Sequence, residues 1–461
     1  MRRFWGLVQN EFIKLFCRRG ILAVFLLLLI FIIGFYGIGK LGNSTVVAVT
    51  DGQSAESLRE ELVFYKTEKP EGYKSEIELI NFMLSNNINP FAGDWRGDAA
   101  QQLGEDIRER DSLIAKGTGY TSLLKSIEED KILIATKNYR EYYEKKLLDA
   151  TLADLSDPER ESLIWQYQYA LDHDVAKKGN EWKYQVYSGI LRAREELSNN
   201  KDQEEKGIGV DRERDLLLRD SIDIAKYRIE NDIRTVVPNR YTNLVAYESD
   251  SSPFWQMLNM SVYSVVVILL AAIIIAGGMV SGEYSTGTIR MLLVNPVKRG
   301  KILMAKYAAL LFLSAGMLIG YYLLHILAAG LFNGFLDVGA RFLFVHSGKI
   351  CGIPGLLAIF VNYMVQFIPL AVYATLAFCL SALTRNTAVS VGIGAFILFA
   401  GDWIASFLHY SLKLDWGKYL LFSNLDFVGL LQGTSSVWLQ PTYCFFRAFS
   451  TDSSIYFFTP G

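Results

Sequence analysis

Cysteine is scarce in this chain of 461 residues: there are four, and none lies between Gly42 and Trp255. That stretch needs no disulfide, and its redox compartment is not legible from thiol usage. Histidine is equally scarce, also four, and no Cys/His cluster has the spacing of a metal site. His173, flanked by Asp172 and Asp174, is a single imidazole among solvated acids, a pattern that is ordinarily neither a ligand set nor a pH switch. No Gly-rich loop followed by Lys-Ser/Thr is present, so the chain has no recognisable means of cradling the phosphates of ATP. A Ser/His/Asp set and paired acids in an apolar run are missing too, which speaks against a membrane enzyme; no cofactor and no nucleic acid are expected. Asp, Glu, Lys and Arg are absent from Ser251 to Gly282 and from Tyr307 to Leu336. Each run exceeds the roughly 20 residues that cross a bilayer as a helix.

What is present is segregated. The net charge of −2 conceals 41 acids and 29 bases between Gly42 and Trp255, against 7 acids and 17 bases elsewhere. An acidic soluble block is thus inserted into a basic, apolar membrane protein. Residues 1–19 read as a cytoplasmic amphipathic interfacial helix, with Phe4, Trp5, Val8, Phe12, Leu15 and Phe16 apolar and Arg2, Arg3, Lys14, Arg18 and Arg19 polar. A first span follows at 20–41. It lacks a convincing cleavage site, and the five bases before it put the N-terminus in the cytoplasm. Residues 42–255 read as an extracytoplasmic, mainly helical domain that opens on a short strand at Thr45–Thr50 and contains a long helix over Tyr120–Leu155. Its aromatics Trp165, Tyr167, Tyr169, Trp182, Tyr184 and Tyr187 read as core or surface filling.

Spans two to five fall within 256–411. His325 reads as helix packing, and Gly334 to Gly352 as an outer loop. Asn362 and Gln366, one turn apart, and Asp402 are the intramembrane polar candidates; for Asp402, anchoring beside Trp403 competes with a functional role. Pro369 is expected to kink its span. Residues 412–461 read as an outer loop and an atypical tail, in which Pro441, Arg447 and Asp452 leave a sixth span missing or defective.

The stretch 281–301 joins spans two and three. Arg290, Lys298, Arg299 and Lys301 outweigh Glu283 there, and basic short loops stay cytoplasmic. Thr288 to Val294 reads as a short helix after Gly287 and before Asn295-Pro296, with Ile289, Leu292 and Leu293 on one face. The ordered set Glu283, Gly287-Thr288-Ile289-Arg290, Leu292-Leu293, Pro296-Val297, Arg299 and Lys306 resembles the loop between the second and third transmembrane helices of ABC-2 type permeases. Asn10 to Phe16 resembles the amphipathic lead helix of the same family. The resemblance covers that helix and the chain after Gln256.

That resemblance implies an all-α polytopic membrane protein: an ABC-2 type transmembrane helix bundle with a large, mainly helical extracytoplasmic domain inserted between the first and second spans. It implies the permease subunit of a bacterial ABC exporter in the cytoplasmic membrane. A separate cytosolic ABC ATPase subunit would dock on the coupling loop, and a second permease chain, identical or related, would complete the path through the bilayer. The tail after Val437 departs from the family pattern, which ends in a sixth span and basic residues. A different class of function also fits: a membrane-anchored sensor or receptor whose extracytoplasmic domain binds a ligand or envelope component. Its weakness is a cytosolic side with no output domain. The transported substrate is not legible.

Overall fold

A computed structural model describes residues 2–16, 19–90, 94–153, 156–207, 209–245, 252–285, 287, 299–335, 337–346, 348–410, 425 and 427. The chain divides into two compact units. The first comprises Met1–Lys40, Thr235–Arg240 and Ser251–Gly461, and the second comprises Leu41–Arg234 with Tyr241–Asp250.

In the first unit, four helical segments among the described residues are long and apolar enough to cross a membrane: Gly20–Lys40, Pro253–Ser285, Gly300–Asn333 and Gly355–Thr384. Thr387–Gly401 is a shorter apolar helix within Thr387–Tyr410. Their outward surface is apolar, with Leu22, Leu26, Ile30, Ile33, Leu327 and Leu331 exposed, as befits helices whose solvent is lipid. Small residues line the inner contacts. Ala272, Ala276, Ala374 and Ala377 are fully buried and let helix backbones approach closely. The membrane segments are not uninterrupted rods. Pro253–Ser261 passes through a 3₁₀ turn at Tyr263–Val265 before Val266–Ser285 resumes. There Ser261 and Ser264 donate back to the carbonyls of Leu258 and Ser261, both at 2.6 Å, a local competition that bends helices. The expected kink near Pro369 takes the form of a break at Gln366, between Gly355–Val365 and Phe367–Thr384. Proline has no N–H to give the carbonyl four residues earlier, at Val365.

The expected outer loop is instead largely a hairpin. Arg341–His346 and Lys349–Pro354 pair antiparallel, closed by the His346–Lys349 pair with Gly348 at φ 72°. Phe342 and Phe344 alternate along the first strand, Phe342 stands opposite Ile353, and Gly348 precedes the second strand. The segment Thr235–Arg240 joins the hairpin: Val237 N–H donates to the Arg341 carbonyl at 3.1 Å, and Asn239 Nδ2 to that of Leu343 at 2.7 Å.

The second unit is helical throughout its long elements. Thr45–Thr50, expected as a strand, lies inside helix Arg19–Glu68. The expected helix over Tyr120–Leu155 is two, Thr121–Thr136 and Tyr139–Leu152. Lys137 ends the first at φ 60°, and the Asn138 side chain accepts from Glu141 N–H to start the second. Asn-x-x-Glu at 138–141 is a readable helix start. The core holds Leu103, Ile107, Ile127, Ile134, Val186 and Ile190, with Tyr142, Tyr143, Tyr167, Tyr184 and Tyr187 buried among them. Asp130 is buried too, held by Lys145 at 2.8 Å and Lys146 at 2.9 Å.

Candidate functional site

The lead helix Arg2–Phe16 buries one face. Val8, Glu11 and Leu15 are buried, three and four residues apart, while Trp5 and Ile13 on the other side are exposed. An acid on the apolar face of an amphipathic helix requires a partner. The partner is Lys306, in helix Arg299–Asn333, whose ammonium lies 2.6 Å from Glu11 Oε2. The same ammonium lies 2.6 Å from Glu283 Oε1, near the end of Val266–Ser285. All three residues are buried, with Lys306 only 3% exposed. Lys14 adds a fourth charge at 2.9 Å from Glu11 Oε1, so two carboxylates face two ammonium groups. Burial alone raises the Glu11 carboxyl; hydrogen bonds from Lys306 and Lys14 outweigh it and hold the group below the ordinary carboxylate range. Lys306 thus fastens the lead helix to both helices that flank stretch 281–301.

A second polar knot sits one turn deeper. The Gly277 carbonyl accepts from Ser281 Oγ and Ser381 Oγ, both at 2.6 Å, and from Ser390 Oγ at 3.1 Å. Ser281 N–H donates to Ser381 Oγ at 2.9 Å, and the Ser281 and Thr387 hydroxyls are 2.7 Å apart. These contacts tie Val266–Ser285 to Phe367–Thr384 and Thr387–Tyr410. They depend on close approach: a Cβ at Gly277 would meet Val391 Cγ2 at 2.5 Å. The turn Thr384-Arg385-Asn386 lies at the same end. Arg385 has φ 53°, its guanidinium stands 5.0 Å from the Tyr284 ring centroid, and Asn386 Oδ1 accepts from Ala388 N–H.

Of the residues singled out from sequence, Glu283 enters the ion cluster and Gly287 is exposed at φ 72°. Thr288, Ile289, Arg290, Leu292, Leu293 and Pro296 lie outside the described residues, and of Arg299 only its place at the start of Arg299–Asn333 is described. Asn362 is buried in Gly355–Val365, and Gln366 occupies the break that follows. Asp402 lies within Thr387–Tyr410, where its backbone alone is described. The expected atypical tail, 412–461, falls outside the described residues except for Leu425 and Phe427. His325 is fully buried and packs against Tyr36, Tyr321 and Tyr363. Sequence reasoning missed the pairing of Glu11 with Lys306 and the serine knot. Glu11 was visible as the lone acid between Phe12 and Val8, and Gly277, Ser281 as a four-residue small-polar spacing.

Residues 226–457 match the family described as "Protein of unknown function (DUF2705)". "Uncharacterized protein YhcI" of Bacillus subtilis (strain 168) is 32% identical over 222 residues, which is 47% of this chain and 65% of the relative. "Uncharacterized membrane protein YdbK" of the same organism is 30% identical over 200 residues, 42% of this chain and 75% of the relative. The chain therefore spans slightly less than two thirds of the first relative's length and three quarters of the second's. No solved structure matches.

Proposed function

The chain belongs to the DUF2705 family and is a mostly helical, membrane-embedded protein, and from that premise we propose that it is the permease subunit of an ABC-2 type transporter. In this reading it exports a substrate across the cytoplasmic membrane and draws on ATP hydrolysis by a separate cytosolic ATPase subunit. A second permease chain completes the path. The N-terminus and stretch 281–301 face the cytosol, and the acidic unit lies outside. The observation that carries the reading is the Glu11–Lys306–Glu283 cluster. It unites the lead helix with both flanks of the loop on which the partner would act, so a push on that loop reaches three helices at once. The partner drives the cycle by binding one arrangement of the membrane helices more tightly than the other.

The test is recovery of an ATPase with the chain. The affinity-purified wild-type protein should bring down a cytosolic subunit bearing a phosphate-cradling Gly-rich loop, and the chain alone should not turn over ATP. Ile289, Leu292 and Leu293 would supply the apolar contact, each burial contributing roughly 1.5–3 kcal/mol. Leu292→Asp should keep the folded yield and lose the ATPase. Full ATPase recovery by that variant, or no ATPase with the wild type, refutes the reading.

A further inference from the structure

The second unit carries a cleft of 410 Å³ lined by Trp165, Arg194, Arg219, Ile222, Asp223 and Lys226. Three helices build it. Trp165 comes from Asp157–Asp172, Arg194 from Glu181–Glu205, and Arg219, Ile222, Asp223 and Lys226 from successive turns of Arg212–Glu230. The Arg194 guanidinium lies 3.8 Å from the Trp165 ring centroid, and the Lys226 ammonium 5.2 Å from it. The indole is itself held in place: Tyr169 stacks on it at 5.0 Å, Tyr187 stacks on Tyr169 at 6.3 Å, and the Tyr187 hydroxyl donates to the Gln166 carbonyl at 2.9 Å. A guanidinium held over a fixed ring by its cation–π contact keeps N–H groups available for an anion.

The charge pattern is the unexpected part. The region Gly42–Trp255 has 41 acids for 29 bases, and its cations are widely paired: Arg108 with Glu76, Arg110 with Glu78, Lys145 and Lys146 with Asp130, Lys183 with Asp232, Arg214 with Glu196. Arg194, Arg219 and Lys226 make no ion pair among the described residues, although Asp223 shares their cleft. Three cations that share one cleft with a single acid repel one another, and their contacts with the Trp165 ring do not cancel that charge, so an anion from outside is the missing counter-charge.

We propose that this cleft binds a phosphate group of an anionic ligand, with Arg194 as the fixed donor fork and Arg219 and Lys226 taking the remaining oxygens. A carboxylate has two oxygens and one charge, which a single guanidinium satisfies. Three cations and one acid leave two net positive charges around several donors, which suits a phosphate group with three free oxygens and close to two negative charges. The proposal is independent of the transporter reading. The phosphate can belong to a soluble ester or to a lipid headgroup, and the test separates the two.

The full-length chain in detergent is titrated calorimetrically with inorganic phosphate, glycerol phosphate and acetate at fixed ionic strength. It is also reconstituted into nanodiscs of phosphatidylcholine with or without phosphatidic acid, whose headgroup is a phosphomonoester, before the glycerol phosphate titration. Saturable phosphate binding stronger than acetate is expected, and Arg194→Gln and Lys226→Gln should each weaken it by about tenfold or more, the effect of losing a charged hydrogen bond. Arg194→Lys should rescue little, because an ammonium has no planar fork. Lys125→Gln, at an exposed cation outside the cleft that gives up only a surface pair with Glu129 at 3.8 Å, should leave affinity unchanged, and circular dichroism should show every variant folded as wild type. Glycerol phosphate binding that is equal in the two nanodiscs assigns a soluble ester; occlusion of the site in phosphatidic acid discs alone assigns a headgroup. Absence of saturable phosphate binding in detergent, acetate binding of equal strength, or equal weakening by Lys125→Gln overturns the proposal.

Discussion

Lys306→Met is the most informative single change. Methionine matches the length of the side chain and removes its charge, leaving Glu11 and Glu283 buried around an apolar group. Each ion pair is 2.6 Å long, and with an effective dielectric of about 20 its direct attraction is on the order of 6 kcal/mol. Desolvation of the three groups offsets most of that, so the intact cluster is not a large net source of stability. The asymmetry lies in breaking it. Lys14 still neutralises Glu11 at 2.9 Å, whereas Glu283 loses its ammonium partner inside the protein. Removing one partner of a buried pair costs up to about 3–5 kcal/mol, less whatever the other contacts of Glu283 recover. The variant should therefore lose that much in a reversible detergent-denaturation series and lose monodispersity at lower temperature in size-exclusion profiles. The compensated variant Glu11→Gln/Glu283→Gln/Lys306→Met removes every charge of the trio and should return to within about 1 kcal/mol of wild type, a strongly non-additive result. A Lys306→Met protein as stable as wild type, or a triple variant that loses at least as much as the single change, would show that the cluster is not the clamp described here.

Other changes follow from local geometry. Gly277→Leu should separate the helices joined by the serine knot and cost about 1–3 kcal/mol by overpacking against Val391, read as reduced folded yield and a lower detergent unfolding temperature. Gly189→Ala should be worse, at least about 3 kcal/mol, because its Cβ would meet the Val245 carbonyl oxygen, which is backbone and has no rotamer to give; loss of protease resistance in the second unit is the readout. Glu78, hydrogen-bonded by Arg110 and Lys131 against the opposing effect of burial, titrates at about 2 instead of 4.5. A depressed carboxylate stabilises the folded state above its unfolded value and loses that contribution as pH falls through its folded value. Unfolding temperature should thus decline from about pH 4.5 toward pH 2, and Glu78→Gln should flatten part of that decline, by about 1 kcal/mol once screening of this partly exposed group is allowed for.

The helical, membrane-embedded character was legible because it rests on composition over long windows: runs such as Ser251 to Gly282 carry no charge at all. Interruptions within those runs were less so. Pro369 announced a disturbance, but the break falls at Gln366, next to the Val365 carbonyl that proline cannot serve. The split at Lys137 hid inside an apolar stripe that continues across it, and only the Asn138–Glu141 capping pair marks it. The hairpin at Arg341–Pro354 was hidden by its length, since two six-residue strands resemble a polar-flanked connection. The site was legible by residue and not by contact. Glu11, Glu283 and Lys306 all fall within the stretches that carry the family resemblance, yet Glu11 and Lys306 are 295 positions apart, and nothing in one sequence pairs residues over that distance.

The two polar clusters bear on the same short piece of helix from opposite sides. Glu283 ties its end to the lead helix and to Arg299–Asn333, and Gly277 with Ser281 ties the preceding turn to Phe367–Thr384 and Thr387–Tyr410. The links differ in kind. The ionic one leaves buried charges behind if it parts, at several kcal/mol. The hydroxyl one exchanges neutral hydrogen bonds worth about 1 kcal/mol each, and serine and threonine hydroxyls can turn to other carbonyls nearby. A force applied to stretch 281–301 would therefore part the serine knot before the ion cluster. In the proposed transporter, the lead helix, Val266–Ser285 and Arg299–Asn333 move as one body, and the seam that opens and closes runs along Gly277, Ser281, Ser381 and Ser390. The small residues of that seam are then more than packing. Neutral hydroxyl bonds of about 1 kcal/mol each keep the cost of opening that seam low, which is what a partner with modest differential affinity needs in order to shift the helices.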